Sequence, residues 1–499
     1  MEAFTSTVSS QIIRLDGLDA LASIFTIPIC YWYENSARDS WDTFMPPEIL
    51  ERAFYKTLQE LPIFSGHLMA DSNSRLYVEV DKDNLNMPVY TDTCCDLDYS
   101  AMQETGFNIS KLPAGLREEY RVPAPSGLVG GQIKPAHIRI VRFKDNSGVL
   151  VFACISHYIF DGYGYAQFMN RWAEVSRWMQ QPQDANKAPL PASLFTYDRS
   201  IHSSYRSEQT TALDTPMIEA MSTGTAFTKW VSWLSPETRG RIFKAMLGSS
   251  GHTCCFFHVS STILENLRTC VQKHAPQDTR LSMNDIITAY ITIVVAQAKE
   301  KASADWWNKP MPLAFRSIFG SKQGEPRDYT VVTYVNMRSR INQPNIGKYM
   351  GNMAFGKGVQ LSQDQIQEGP TDKVLATLAL RIRQTISTTD EKYVGQFGNL
   401  LDKEYDNFLR LTMSTSKIKR KLMFSNQTRF AHYDVDFGAG IPAMVRHAPH
   451  AFVDLAYVMP ANPTTGGYEI EFNLAPDVAL HLIRNSSWMK LVDRYDCYI

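Results

Sequence analysis

The chain has 499 residues, 44% of them hydrophobic and 20% charged, with a formal net charge of −1. That length exceeds one ordinary core and implies two domains. The balanced charge excludes the basic footprint of a nucleic-acid or acidic-membrane binder, and the apolar stretches at 21–33 and 286–298 are too short to span a bilayer.

In chain order, the start (Met1-Glu2-Ala3-Phe4-Thr5) lacks the basic region of a signal peptide. Residues 47–61 predict a helix: Pro47 suits its first turn, Leu50, Phe54, Leu58 and Leu61 recur at helical spacing, and Pro62 stops it. Residues 75–80 predict a strand, with Leu76, Val78 and Val80 on one face. Residues 136–143 predict another, with Ile138 and Ile140 opposite Arg139. The cluster Asp145-Asn146-Ser147-Gly148 then turns the chain into the run Val149–Ile155, which is apolar on both faces and suits a central strand. A helix comes after Gly162, with Phe168, Trp172, Val175 and Met179 on its inner stripe. Residues 180–225 are polar, rich in proline early on, and read as a crossover between domains. Ser282 caps a helix whose early Asp285 suits its dipole. Residues 329–340 are β-rich, and the tracts 431–437, 451–459 and 468–474 alternate as strands do. The class is α/β.

The eight cysteines include the adjacent pairs Cys94-Cys95 and Cys254-Cys255, and no C-x-x-C spacing is present. They read as reduced, mostly buried thiols, which with the N-terminal sequence gives the expectation of a cytoplasmic protein, taken as a monomer. The basic run Lys417–Lys421 reads as solvated surface, or as a contact for a phosphorylated ligand.

The junction after residue 155 carries the chemistry. His157 lies just past the apolar run, Asp161 lies four residues on, and Gly162 comes next. The H-x-x-x-D spacing occurs five times, at His67, His157, His274, His432 and His450, so spacing alone does not choose. Only the copy at His157 is followed by glycine and leaves a long apolar run directly. A neutral imidazole held there suits a general base. Asp161 either orients that imidazole, as in a serine-protease triad, or points away and pairs with a cation to fix the turn. On this local evidence a satisfied core histidine reads as well as a base. No G-x-S-x-G elbow offers a serine nucleophile, so the implied chemistry is base-assisted attack by a substrate nucleophile. His447-x-x-His450 is a poor metal site, because Pro449 disfavours a regular helix and no third ligand is evident.

The stretch 156–177, SHYIFDGYGYAQFMNRWAEVSR, resembles the H-x-x-x-D-G motif and adjoining helix of the BAHD acyl-CoA-dependent acyltransferases. Their superfamily includes chloramphenicol acetyltransferase, carnitine acyltransferases and peptide-synthetase condensation domains. Four further segments fall in the family's order: 50–68 with its P-x-x-x-G-x-L, 281–291 with L-S-x-x-D, 334–353 with V-N-x-R-x-R and Y-x-G-N, and 433–442 with D-F-G-x-G-x-P. The length and the weaker N-terminal match resemble fungal, secondary-metabolism members more than plant ones.

The resemblance implies two similar-sized chloramphenicol acetyltransferase-like domains, at 1–180 and 226–499, with a linker at 181–225, a crossover segment near 436–462 and the active site at the domain interface. It implies an acyl-CoA co-substrate, a small-molecule acceptor, and no metal or bound cofactor. His157 becomes the general base. Asp161 becomes structural, paired with Arg338 rather than Arg340, and Gly162 belongs to the same turn. Asp436, Gly438 and Gly440 shape a loop away from the base, while Ser282, Asn284 and Asp285 flank the CoA side. Ala439 stands where the family carries an aromatic residue, so an oxyanion donor must come from elsewhere. A carrier-protein thioester as acyl donor, or a non-catalytic binding role, are the alternatives.

Overall fold

A computed structural model describes residues 5, 7–23, 25–72, 75–113, 115–116, 133–182, 188–203, 238, 253–308, 329–403, 421–449 and 454–498. Its first strands are β1 (Gln11–Arg14), β2 (Thr26–Glu34), β3 (His67–Ala70), β4 (Leu76–Val80), β5 (Val89–Cys94), β6 (Ala136–Arg142) and β7 (Gly148–Ser156). Then come β8 (Thr253–Val259), β9 (Tyr329–Asn336), β10 (Ala354–Leu361), β11 (Lys421–Asn426), β12 (Met444–His447), β13 (Leu455–Val458), β14 (Tyr468–Leu474) and β15 (Arg494–Tyr498). They form a five-stranded sheet β12-β2-β7-β6-β5, a seven-stranded sheet β10-β9-β11-β13-β14-β8-β15 and a small sheet β1-β4-β3. Both large sheets are mixed, with parallel pairs at β5/β6, β11/β9 and β11/β13.

The five-stranded sheet is built around β7, whose nine residues are all buried. Val149, Val151, Ala153 and Ile155 enter one core, and Leu150, Phe152 and Cys154 enter another on the opposite face. Fully burying one large apolar side chain contributes roughly 1.5–3 kcal/mol, so a strand packed on both faces is a rigid support for the turn at its end. The first core is completed by helices α1 (Gly17–Ala22), α2 (Pro47–Leu58) and α3 (Gly162–Gln180). Leu50, Phe54 and Leu58 of α2 pack there with Phe168 and Trp172 of α3, with the Phe54 and Trp172 rings 5.2 Å apart. Helix α2 ends three residues short of Leu61, whose side chain is nevertheless buried. The second large sheet carries α4 (Met283–Asn308) and α5 (Asp372–Ser387), which share its core.

The chain crosses between the sheets late. Strand β12 pairs antiparallel with β2, so residues 444–447 extend the first sheet, while β11 before and β13 after them lie in the second. Arg446 pairs with Glu469 and His447 with Glu471, each joining β12 to β14 of the other sheet. Much of the linker expected at 181–225 (183–187 and 204 onward) lies outside the described residues.

Two expectations are corrected. Residues 431–437 form a short 3-10 turn at His432–Asp434 rather than a strand. Their carbonyls are taken by side chains instead of a neighbouring strand: Asn170 donates to Ala431, Tyr33 to Val435, Arg177 to Asp436 and Gln180 to Phe437. The cysteines are not all reduced thiols, because Cys255 and Cys497, opposite each other on β8 and β15, are joined as a disulfide. The other tracts fare differently: 468–474 is β14, and 451–459 contains β13, with 451–453 outside the described residues. Among the described residues no helix is long and apolar enough to cross a membrane.

Candidate active site

Strand β7 ends at Ser156, and the next residue, His157, stands in the wall of a cavity of about 250 Å³. Phe25, Thr26, Ile27, Asp161 and Tyr163 from the β2 and β7 region form one side. Tyr334, Asn336, Ala354, Ser425, Asn426, Leu455 and Tyr457 from the seven-stranded sheet and its edges form the other. Aromatic and aliphatic groups dominate the wall, interrupted by a few hydroxyls and amides, which suits a mainly apolar ligand held by a few polar contacts.

The His157 backbone N–H donates to the Phe25 carbonyl at 2.8 Å, which fixes the residue as the chain leaves the sheet. Its ring Nδ1 lies 3.1 Å from Asn352 Oδ1. The Nε2 atom has no hydrogen-bond partner among the described residues. Burial pushes the imidazole below its usual pKa, opposed by its own backbone carbonyl, by Asp161, by Asn352 and by Asp19. A ring neutral at pH 7 is the state a general base requires.

Asp161 does not touch the imidazole. Its Oδ1 accepts from the Gly164 N–H at 3.0 Å, capping α3. Arg338 donates to both carboxylate oxygens, at 2.9 and 3.1 Å, and the Met353 N–H adds a bond at 3.0 Å. Arg338 also donates to the Tyr349 carbonyl at 2.7 Å and the Gly351 carbonyl at 2.5 Å, and its guanidinium lies over the Tyr163 ring. The buried Asp161–Arg338 pair thus ties the start of α3 to the segment between β9 and β10. Arg340 is turned elsewhere, to the Ile386 and Thr389 carbonyls. Gly162 faces Phe430, where a Cβ would come within 2.9 Å of the ring.

Asp436, Gly438 and Gly440 form a loop that does not line the cavity. Asp436 Oδ1 accepts from the N–H groups of Gly438 and Gly440 at 2.8 and 2.9 Å, and both glycines have positive φ, 97° and 84°. Gln180 closes over Gly438 from the end of α3. Ala439 packs against the first core. Ser282, Asn284 and Asp285 also lie outside the cavity wall. Ser282 and Asp285 bond reciprocally at the start of α4, and Asp285 pairs with Arg383 of α5. Asn284 reaches the cavity only through Asn426, whose amide donates to it at 2.5 Å.

The other histidines separate cleanly. His67 bonds the Asn84 carbonyl from β3, and His274 lies just beyond the helix Ser261–Gln272. His432 is buried between Tyr31 and Gln427, and burial pushes it down to about 3. His450 lies outside the described residues. Sequence reasoning weighed His447 only as a metal ligand; it lines the cavity, bonds Glu471 at 2.7 Å and stacks on Tyr457 at 4.0 Å. Sequence reasoning passed over Asn352, although that residue closes the Y-x-G-N match, and over Asp19, for which no local pattern gave a signal. Among the described residues no His, Cys, Asp and Glu cluster is placed to hold a metal ion.

A family model described as the Transferase family matches residues 126–209 and 273–485, more than half of the chain. The fold is similar to that of F. graminearum TRI101 complexed with coenzyme A and T-2 mycotoxin, with a TM-score of 0.69 and 16% identity over 97% of this chain and 99% of that one. Vinorine synthase is similar at a TM-score of 0.60 and 18% identity, covering 97% and 98% of the two chains. The first condensation domain of the CDA synthetase is similar at 0.52 and 12% identity, covering 96% and 94%.

Proposed function

Because the chain belongs to the Transferase family, with the architecture of BAHD and chloramphenicol acetyltransferase-like enzymes, we propose that it moves an acyl group, acetyl by first choice, from acyl-CoA to a hydroxyl or amine of a small molecule. The observation that carries this reading is a neutral imidazole at an apolar cavity between two sheets, with Nδ1 bonded and Nε2 without a partner among the described residues.

In this reading Nε2 of His157 takes the proton of the acceptor O–H or N–H as that atom attacks the thioester carbonyl. The tetrahedral intermediate collapses, the C–S bond breaks, and the imidazolium returns its proton to the departing CoA sulfur. Asn336 and Ser425 line the cavity with an amide and a hydroxyl and are the proposed oxyanion donors, a contribution worth about 10²–10³ in rate for one well-placed donor. Tyr163, Tyr334 and Tyr457 favour an acceptor with a broad apolar body. Asp161 and Arg338 keep the junction rigid and take no proton. The proposed domains are 1–180 and 226–499, with 181–225 as the connection and 444–447 crossing back into the first sheet.

The test is thiol release from acetyl-CoA against a panel of alcohols and amines that includes deoxynivalenol, which was crystallised with coenzyme A in F. graminearum TRI101. Release should be acceptor-dependent, with the acid limb of kcat/KM below the usual histidine value of about 6.5, because burial outweighs the pull of Asp161 and Asp19 on the ring. His157→Ala should lower it by about 10²–10⁴. Release that survives this change removes His157 as the base. The likeness to a condensation domain supports a second reading, in which the donor is a carrier-protein thioester. Inactivity with acetyl-CoA together with turnover of an acylated carrier protein would select it.

A further inference from the structure

We propose that Asn352 is a positioning residue that decides which nitrogen of His157 carries the proton, and that Asp19 in turn decides which way Asn352 faces. This rests on the reading of His157 as the base. A neutral imidazole has two tautomers, and only the one protonated at Nδ1 presents a bare Nε2 to a substrate. Asp161, the residue four positions on, does not make the choice, because its carboxylate is occupied by Arg338, Gly164 and Met353.

The ring's own backbone carbonyl also acts on it, and the side chain at Nδ1 is the Asn352 amide, which can present either its oxygen or its nitrogen. Here the other half of the amide settles the matter. The Asn352 nitrogen lies 2.9 Å from Asp19 Oδ1 and 2.9 Å from the His157 carbonyl oxygen. A carboxylate and a carbonyl only accept, so the group facing them must be the NH₂. Turned over, the amide oxygen would face two acceptors inside a buried site and lose both bonds. The amide oxygen is therefore aimed at Nδ1, which must donate, and the proton is excluded from Nε2.

Asp19 is itself fixed. It is fully buried on the short helix α1, and Arg199 donates to its second oxygen at 2.7 Å. Arg199 also donates to the carbonyl of Tyr158, the residue after the base, at 3.1 Å. The chain Arg199, Asp19, Asn352, His157 draws on four separate parts of the sequence. An amide at the last link orients the ring without placing another full charge against it.

The experiment is long-range proton–nitrogen NMR correlation on protein labelled at histidine nitrogen, with His157→Gln to assign the signals. It is recorded without any acyl donor, so its outcome does not depend on acyl transfer. The native protein should show His157 protonated at Nδ1 and bare at Nε2. In Asn352→Leu the signals should move toward protonation at Nε2, and Asp19→Asn should give the same mixture. Thiol release in Asn352→Leu should fall between 10-fold and about 10⁴-fold, the loss seen when a catalytic histidine adopts the wrong tautomer, with CoA affinity unchanged. A native ring protonated at Nε2 overturns the proposal without any variant. So does a folded Asn352→Leu protein whose tautomer is unaltered. The expected tautomer without any thiol release would leave the positioning intact and remove the acyltransferase reading instead.

Discussion

Asp161 holds four hydrogen bonds and an ion pair, and all of them come from structure rather than from the imidazole beside it. Removing its charge strands Arg338, which is buried with it. Asp161→Asn should therefore lower stability as well as rate, since breaking a buried pair from one side costs about 3–5 kcal/mol. Chemical denaturation of the variant checks this. Full stability with a lost rate would return the residue to an orienting role acting through a bond absent from this structure. The partner, Arg338, was open to inference because the V-N-x-R-x-R match names two arginines and nothing else nearby competes. Asn352 stood at the end of a matching stretch too, but an asparagine announces no chemistry until its neighbours are known. Asp19 and Arg199 meet through folding alone, and no window of sequence contains both.

At the scale of elements, the passage from β7 to α3 is the part the sequence made plainest. An unbroken apolar run, a turn and a helical stripe succeed one another within about thirty residues, and each obeys its own period. What the pattern did not reveal is how closely the segment between β9 and β10 approaches that turn. A Cβ on Gly164 would collide with the Met350 carbonyl, which is backbone and has little room to withdraw. Gly164→Ala should thus destabilise the protein, against the usual effect of alanine in a helix, which is stabilising by about 0.5–1 kcal/mol. The melting temperature, compared with Gly398→Ala on an open helical surface, reads the difference. Equal effects would mean that the approach is not tight. The tract 431–437 misled for the opposite reason: Tyr433, Val435 and Phe437 alternate inward, yet side chains of α3 and β2 occupy the backbone carbonyls that a strand partner would need. Period reports which side chains are buried, not what satisfies the backbone.

Over the whole molecule, the cavity has walls in both large sheets, and β12 links them through Glu469 and Glu471. A ligand seated there should tighten both sheets together. Acetyl-CoA added without an acceptor should raise the melting temperature, because it binds only the folded form, and should slow hydrogen exchange in β7 and in β9 or β11 alike. Protection limited to one sheet would place the donor outside the shared cavity. The α/β class was legible from element order and the two domains from length, while a mixed sheet in each came only with the family resemblance. The strand order was not legible: the resemblance placed a crossover near 436–462, but the four residues 444–447 that pair with β2 are too few to show a strand pattern.

The disulfide between Cys255 and Cys497 bears on a different matter. Strand β15 is the outermost of its sheet, and it covers the side of β8 that would otherwise face outward with unpaired N–H and C=O groups. Such an open flank is a template on which a second chain can add a strand. The covalent bond staples the guard in place, across a separation of 242 residues. When the thiols are reduced, five residues of backbone pairing and the stacking of Tyr495 on Phe257 are left to keep β8 from recruiting a neighbour. Reduction of this one cysteine pair should therefore raise self-association, an outcome that light scattering with and without reductant reads directly.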